Sequence, residues 1–532
     1  MMKAGLFLSR DDGVISRTVD VDALATQYGH LAVTRVCDSF FHAPDQRAIL
    51  DAVALAGLDA VVLAGPSEHT FRQGLGGTHL VDALESAGVN ANRISFADVR
   101  GNAALAHRGD KVRATAKAKS LIDVAISKVE HSHPVEMLQV APRRAVLIAG
   151  TAAGGLIAAG EFVAKGYRVH IVEEGNGLRA APALLEALQP TLAILESSEL
   201  VTFSFGSTVR DVAGTHGDYT IVIATPGGDR TIHVGGVVIA AGNDPESLRQ
   251  LRHQFHFGAD RDGMPRSDGP IPGTTSDPGI WFLPTAEDAD FGATVQGVST
   301  GVLHLGTSLD VNEILHPMTV TDVDASVCGA CGTCVKTCAF GASRIDLASR
   351  VAIIDAERCR GCGNCVTACP TGARDLAAFP RAYVTDAIGI MAGGVAGDDS
   401  PKILAILCRN CGERAWQIGN SAQGRANGGL PPNVMPLLLE CGGSVDTQYV
   451  LYAFAKGFDG VAVFVCQDEH CHNVVGNTDL QRRLGLFRSV LRSRHIDDDR
   501  LRVVQVYCDD AQAIHDELKS LTEALTAASA QA

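Results

Sequence analysis

Short apolar runs alternate with amphipathic stretches along the first three hundred or so residues. Residues 59–65 form an apolar run closed by glycine, the pattern of a parallel strand buried on both faces. Residues 78–87 have helical periodicity that Gly88 stops. Residues 111–129 repeat it, with Lys and Arg on one side, until His131-Ser132-His133-Pro134 breaks it. A sharper pattern begins at Arg143. Residues 143–150 read as a strand, Gly150-Thr151-Ala152-Ala153-Gly154-Gly155 as a turn, and the stretch to about Lys165 as a helix. Gly166-Tyr167 then turns the chain into a second strand, 168–172, ending at Glu173. Residues 201–205, 219–224 and 231–234 read as a small β-meander with Gly227-Gly228 at one turn; 236–242 and 279–284 read as buried strands. Towards the C-terminus three apolar strands, 403–407, 437–439 and 461–465, are each followed by cysteine.

Strand, glycine turn, helix, strand and acid in this order make a dinucleotide fingerprint. The glycines allow the tight turn, the helix N-terminus receives a pyrophosphate, and the acid meets ribose hydroxyls. Gly150, Ala152, Gly155, Glu173 and Gly242 are the candidate contacts. Ala152 stands where the fingerprint has its middle glycine, and its methyl group crowds the pyrophosphate approach. A βαβ unit without a nucleotide is the alternative reading. No second glycine fingerprint follows, and this half has no Cys-x-x-Cys, which argues against a separate nicotinamide site and against a disulfide reductase of the thioredoxin reductase kind. Residues 1–142 offer no catalytic constellation; His69, His79, His131 and His133 read as surface or core residues.

With 532 residues, three or four domains are expected, and 46% hydrophobic residues suffice for several cores. A net charge of −15 and 5% aromatics argue against a nucleic-acid surface. No apolar run is long enough to span a membrane. The N-terminal apolar run is cut short by Arg10-Asp11-Asp12, unlike a signal peptide, so a cytoplasmic location is expected. In a reducing compartment, regularly spaced cysteines mean metal or redox chemistry. Of 15 cysteines, Cys37 alone precedes residue 328.

Cys328, Cys331, Cys334 and Cys338 form C-x2-C-x2-C-x3-C, and Cys359, Cys362, Cys365 and Cys369 repeat it, followed by Pro370. This spacing lets three cysteines of each run hold one [4Fe–4S] cluster while the fourth serves the other cluster. One cluster is expected on Cys328, Cys331, Cys334 and Cys369, the other on Cys359, Cys362, Cys365 and Cys338. A zinc ribbon is the alternative. A second set, Cys408, Cys411, Cys441, Cys466 and Cys471, lies at the carboxyl ends of predicted parallel strands, where open α/β sheets carry their sites. Five thiols there could hold a [2Fe–2S] centre, which needs four; zinc or free thiols are the alternatives. Cys37 and Cys508 read as isolated packing residues.

The order of these parts resembles the A-type subunit of heterodisulfide reductase, the one with flavin and iron–sulfur clusters, fused to the delta subunit of methyl-viologen-reducing hydrogenase. The second subunit of the quinone-interacting membrane-bound oxidoreductase is similar. Pro401-Lys402-Ile403, Cys408 and Cys411, Pro431-Pro432-Asn433-Val434, Cys441, Asp446 and Cys466-x4-Cys471-His472-x3-Gly476-Asn477 carry the delta-subunit likeness. Gly150, Gly155 and Glu173 match the FAD domain. The resemblance implies FAD, two [4Fe–4S] clusters and one [2Fe–2S] cluster. The family's N-terminal cluster cysteines are replaced here by Ser9, His42, Gly65 and Ala103, so no cluster is expected there. Pro284 stands where a flavin-contact glycine is usual, and the stretch between Val234 and Val237 is too short for the ferredoxin-like insert of larger members.

The expected architecture is therefore a multidomain α/β protein. An N-terminal α/β domain covers 1–142, a Rossmann-type FAD domain 143–315, an α+β two-[4Fe–4S] ferredoxin domain 316–380, and a C-terminal α/β [2Fe–2S] domain 400–520. The resemblance implies an electron-transfer subunit relaying electrons between the [2Fe–2S] centre, the two [4Fe–4S] clusters and FAD. Its partners would be other subunits of a heterodisulfide-reductase-like complex and a dehydrogenase or hydrogenase, with any membrane association peripheral and through them. Bifurcation to two acceptors is an option that the residues do not decide. The alternatives are a self-contained flavin enzyme using a small donor such as NADH, and a scaffold whose flavin site is inactive.

Overall fold

The computed structural model describes residues 2–529 apart from 74–76, 243, 261, 266, 268–270, 276, 284–290, 319, 395–399, 422–423 and 425–428. Pro284 lies outside the described residues. The chain divides into two compact units, Met1–Glu136 with Thr319–Ala532, and Met137–Met318.

The first unit begins with a four-stranded parallel sheet in the order Val33–Cys37, Ala4–Ser9, Ala60–Gly65, Ile94–Asp98. Its central strands are buried throughout, as their unbroken apolar runs require. Apolar clusters cover both faces, one built around Phe7, Leu63 and Phe71, the other around Leu6, Val62 and Ile122. The helix Lys111–His131 packs against the helix Arg381–Gly394, where a Cβ added to Gly394 would overlap Ser120. Lys117 on the first of these helices is 4% exposed and donates to the Pro432 and Val434 carbonyls, both at 2.8 Å. That pair of bonds joins the N-terminal sheet to the C-terminal one.

Between them the 31-residue repeat is visible as two short helices, Thr333–Thr337 and Asn364–Thr367. Each is entered through a left-handed glycine, Gly332 at φ 74° and Gly363 at φ 78°. Two antiparallel ladders frame them, Thr321–Val323 with Arg374–Leu376 and Ser343–Asp346 with Val351–Ile354. The C-terminal sheet is parallel, in the order Val434–Leu439, Ile403–Cys408, Gly460–Cys466, Leu501–Val506.

The second unit is a five-stranded parallel sheet, Ile280–Phe282, Gly236–Ile239, Ala145–Ala149, Arg168–Val172 and Val201–Ser204, with apolar clusters on both faces. One expectation is corrected here. Residues 201–205 do not join a meander; Val201 to Ser204 pair parallel with Val169 to Val172. The antiparallel sheet is instead Thr208–Thr215, Asp218–Thr225 and Gly228–Val234. Its first strand escapes the alternation rule because the register jumps at Val222/Ile223, leaving Arg210 as an extra residue beside exposed Asp211.

Replacing Lys117 by Met keeps an apolar stem but removes the donor from the buried Val434 carbonyl and the part-buried Pro432 carbonyl. The expected loss is about 1–3 kcal/mol, read as a lower urea midpoint for the first unit; an unchanged midpoint would mean that the Lys117 bonds do not help hold the two sheets together.

Candidate metal centres and dinucleotide turn

At the fingerprint turn Gly150 has φ 105°, and a Cβ there would sit 2.3 Å from the Ala240 carbonyl oxygen. A Cβ on Gly155 would sit 2.7 Å from Ala240 Cβ, so both glycines are demanded by close approach of the neighbouring strand. Ala152 precedes the helix Ala153–Ala164, its N–H donates to the Ala240 carbonyl at 3.2 Å, and no side chain caps the helix. Glu173, 2% exposed, is held inward. It accepts from Thr151 N (2.9 Å), Thr151 Oγ1 (2.7 Å), Gly175 N (3.1 Å) and Arg179 Nη2 (3.0 Å). Burial alone would raise its pKa, but these donors and the Arg179 charge hold it below the ordinary value. Arg179 also donates to the Ala241 carbonyl at 3.0 Å, beside Gly242, and to Asp244 and Ser247. The adjoining cavity, lined by Gly150, Glu173, Arg179, Ala241 and Ser247, measures about 40 Å³. The glycine turn and uncapped helix end therefore suit a pyrophosphate, while the acid expected to meet ribose is already engaged by Thr151 and Arg179.

Ser9 and Ala103 are buried, Ser9 Oγ accepting from Asp11 N at 2.9 Å, a Cβ on Gly65 would meet Phe40 at 2.8 Å, and exposed His42 faces Asp12. None of these four is a thiol.

In the repeat, Cys369 comes within electrostatic reach of Cys331, and Cys338 of both Cys359 and Cys365. These are the neighbours that an exchange of fourth cysteines requires. Cys328 and Cys338 each receive a backbone N–H, from Ala352 at 3.4 Å and Ala342 at 3.3 Å. Cys334 is buried on its short helix, whereas Cys331 is exposed. Burial pushes Cys365 up to about 11 and raises Cys359, with the Arg374 guanidinium opposing both. Arg374 is 1% exposed, and its hydrogen-bond partners are neutral hydroxyls, Thr321 at 3.1 Å and Ser343 at 3.0 Å. Sequence reasoning missed this buried cation; nothing in its local sequence marks it.

The C-terminal thiols gather at the carboxyl edge of their sheet. Cys408 and Cys466 end adjacent strands, with sulfurs 3.8 Å apart. Cys471 neighbours Cys441 and Cys466, and His472 Nδ1 lies 3.8 Å from Cys466 Sγ. A Cβ on Gly476 would lie 2.3 Å from Cys441 Sγ, so glycine leaves the room these sulfurs occupy. Cys411, Cys466 and His472 are close enough to share one metal ion, and they are the one such group among the described residues. Hydrogen bonds from Cys408, Cys411 and Cys471 drive Cys466 well below its ordinary pKa, while Cys411 and Cys471 are raised well above theirs. Cys508 is likewise lowered, to about 7, first by its hydrogen bond with Cys411, so the protons are shared across the sulfur network, and a bound cation would displace them. Cys508 corrects a second expectation. It is not isolated: its Sγ lies 2.9 Å from that of Cys411, and it too follows a parallel strand, Leu501–Val506. The strand-then-cysteine signal was present but lay beyond the motif.

The two thiol sets meet. Cys362 is raised well above its ordinary pKa by burial and then by the neighbouring Cys441. Thr367 Oγ1 donates to the Gly443 carbonyl at 2.9 Å, and a Cβ on Gly363 would lie 2.5 Å from Ser444 Cβ.

Cysteines so arranged define the class, a chain with a 4Fe-4S dicluster domain. Residues 320–373 match the family model of the 4Fe-4S dicluster domain, and residues 403–528 that of the methyl-viologen-reducing hydrogenase, delta subunit. The particular relatives are the A-type subunits of heterodisulfide reductases. The chain is 33% identical over 184 residues to that of the ferredoxin:CoB-CoM heterodisulfide reductase of Methanosarcina mazei, covering 35% of this chain and 22% of that protein. It is 25% identical over 242 residues to that of the H(2):CoB-CoM heterodisulfide,ferredoxin reductase of Methanothermobacter marburgensis, covering 42% of this chain and 35% of that protein. The matches thus span well under half the length of these relatives. Among solved structures, that of Thermovibrio ammonificans THI4 overlaps 32% of this chain and 92% of its own, at 17% identity and a TM-score of 0.25.

Because the Glu173 pKa is lowered on folding, the stability it contributes is present above its unfolded value near 4.5 and is lost as pH falls through the folded value. Glu173→Gln should lower the unfolding free energy of the second unit at pH 7 by about 1–3 kcal/mol. The gap from the unsubstituted protein should shrink below pH 4.5. A gap that persists into acid would show that the charge is not what braces the turn.

Proposed function

We propose that this chain is an FAD- and iron–sulfur-containing electron-transfer subunit of a heterodisulfide-reductase-like complex. Cys328, Cys331, Cys334 and Cys369 would hold one [4Fe–4S] cluster, and Cys359, Cys362, Cys365 and Cys338 the other. A [2Fe–2S] centre would draw its ligands from Cys408, Cys411, Cys441, Cys466 and Cys471. Such clusters carry one electron each, and FAD exchanges pairs for singles. The observation that carries the reading is the joint at Cys362 and Cys441, which brings the second ferredoxin-type thiol set against the strand-end thiols. Donor and acceptor chemistry would then lie on partner subunits, with the delta-subunit-like domain docking a dehydrogenase or hydrogenase. Among the described residues no helix is long and apolar enough to cross a membrane.

Arg374 gives the two four-iron sites unequal surroundings. Its buried guanidinium favours the added negative charge of a reduced cluster on Cys359, Cys362, Cys365 and Cys338. Arg374→Met should lower that cluster's potential by on the order of 100 mV and leave the other nearly unmoved, measured by redox titration followed by EPR. Equal shifts in both would contradict the assignment of ligands.

A scaffold role for the dinucleotide unit has one observation in its favour, the engagement of Glu173 by Arg179. Anaerobic purification with metal, sulfide and flavin counts separates the readings. The relay requires about ten iron and about one FAD per chain. About ten iron without flavin would support the scaffold, and about eight iron with one zinc would remove the [2Fe–2S] centre.

A further inference from the structure

Six thiols, not five, converge at the carboxyl edge of the C-terminal sheet. The sixth comes from the edge strand Leu501–Val506, so all four strands of the sheet deliver cysteine to the same end. Cys508 is 0% exposed and lies 2.9 Å, sulfur to sulfur, from Cys411. A disulfide would bring the two to about 2.05 Å. Two thiolates on one tetrahedral metal at about 2.3 Å each stand roughly 3.8 Å apart. The observed separation lies between the two, and a small turn of either side chain reaches the metal-bridged one. Packing alone does not explain the placement. Cys508 points at the one cysteine of the set that the ligand group of Cys466 and His472 also includes.

We propose that Cys508 is a ligand of the C-terminal iron–sulfur centre, sharing one iron with Cys411. The second iron's pair then comes from Cys408, Cys441, Cys466 and Cys471. The assignment rests on reading this centre as [2Fe–2S]. It changes the ligand set, because Cys411 finds its partner across the sheet edge rather than within the Cys408–Cys411 loop. It also puts the final helix, Ala511–Ser529, three residues from a metal ligand, so that loss of the centre would loosen the end of the chain.

The test uses the full chain, reconstituted anaerobically, with Cys508→Ser, Cys508→Ala and Cys508→Asp beside Cys37→Ser, a buried cysteine of the N-terminal sheet. Iron is counted, and EPR spectra are recorded after dithionite reduction. The Ser and Ala variants should lose about two iron per chain and the two-iron signal, while the four-iron signals persist and report an intact fold. The Asp variant, whose carboxylate can bind iron, should keep the two-iron signal with shifted g values. Cys37→Ser should change neither. The full iron count and unshifted g values in Cys508→Ser would overturn the assignment while leaving the two-iron reading standing. So would a Cys411–Cys508 disulfide found by mass spectrometry in the loaded protein. Zinc in place of the iron pair in the unsubstituted chain would overturn the reading of the centre and the assignment with it.

Discussion

Buried thiols cannot carry charge together without a cation among them. That constraint governs the first unit. Cys408, Cys411, Cys441, Cys466 and Cys508 are all buried, and the sulfur network shares its protons, with Cys466 and Cys508 lowered and Cys408 and Cys411 raised. Such a set is a poor packing solution, since small apolar residues would fill the same space without polar sulfur chemistry. As a metal site it needs little chain. A parallel sheet ends every strand on one edge, and this one ends its strands in cysteine or one or two residues short of it.

The same edge fixes the position of the ferredoxin-type repeat. Asn364 and Thr367 on its second short helix meet Gly443 and Ser444, next to Cys441. Glycine at 443 and 363 is what permits this approach, because any Cβ would collide across the joint. The N-terminal sheet is fastened to the same body through Lys117 and through Asn102, which accepts from Trp416 and Asn420 at 2.9 Å. It contributes no thiol cluster of its own, so its place in the unit is that of a support for the helix Arg381–Gly394 and the C-terminal sheet.

Much of this was legible in the sequence because its signals are local. The duplicated cysteine spacing, the glycine turn before Ala153–Ala164, and the apolar strands leading into Cys408 and Cys466 are each written in consecutive residues. What escaped is long-range. Cys508 gains meaning only from a neighbour 97 residues away. Arg374 reads as an ordinary surface arginine until Thr321 and Ser343 close over it. The strand Thr208–Thr215 hides behind a bulge. Glu173 has the sequence position of a ribose acid, yet the fold gives it Thr151 and Arg179, a pairing that spacing alone does not reveal.

The central claim is that electrons pass directly between the strand-end centre and the cluster on Cys359, Cys362, Cys365 and Cys338. The most direct measurement is EPR of the anaerobic holoprotein, poised stepwise from oxidised to fully reduced. Neighbouring paramagnets broaden and split one another's signals, so the two-iron signal should split once that four-iron cluster is reduced as well. Signals that merely add at every potential would contradict the contact between the centres and the relay built on it.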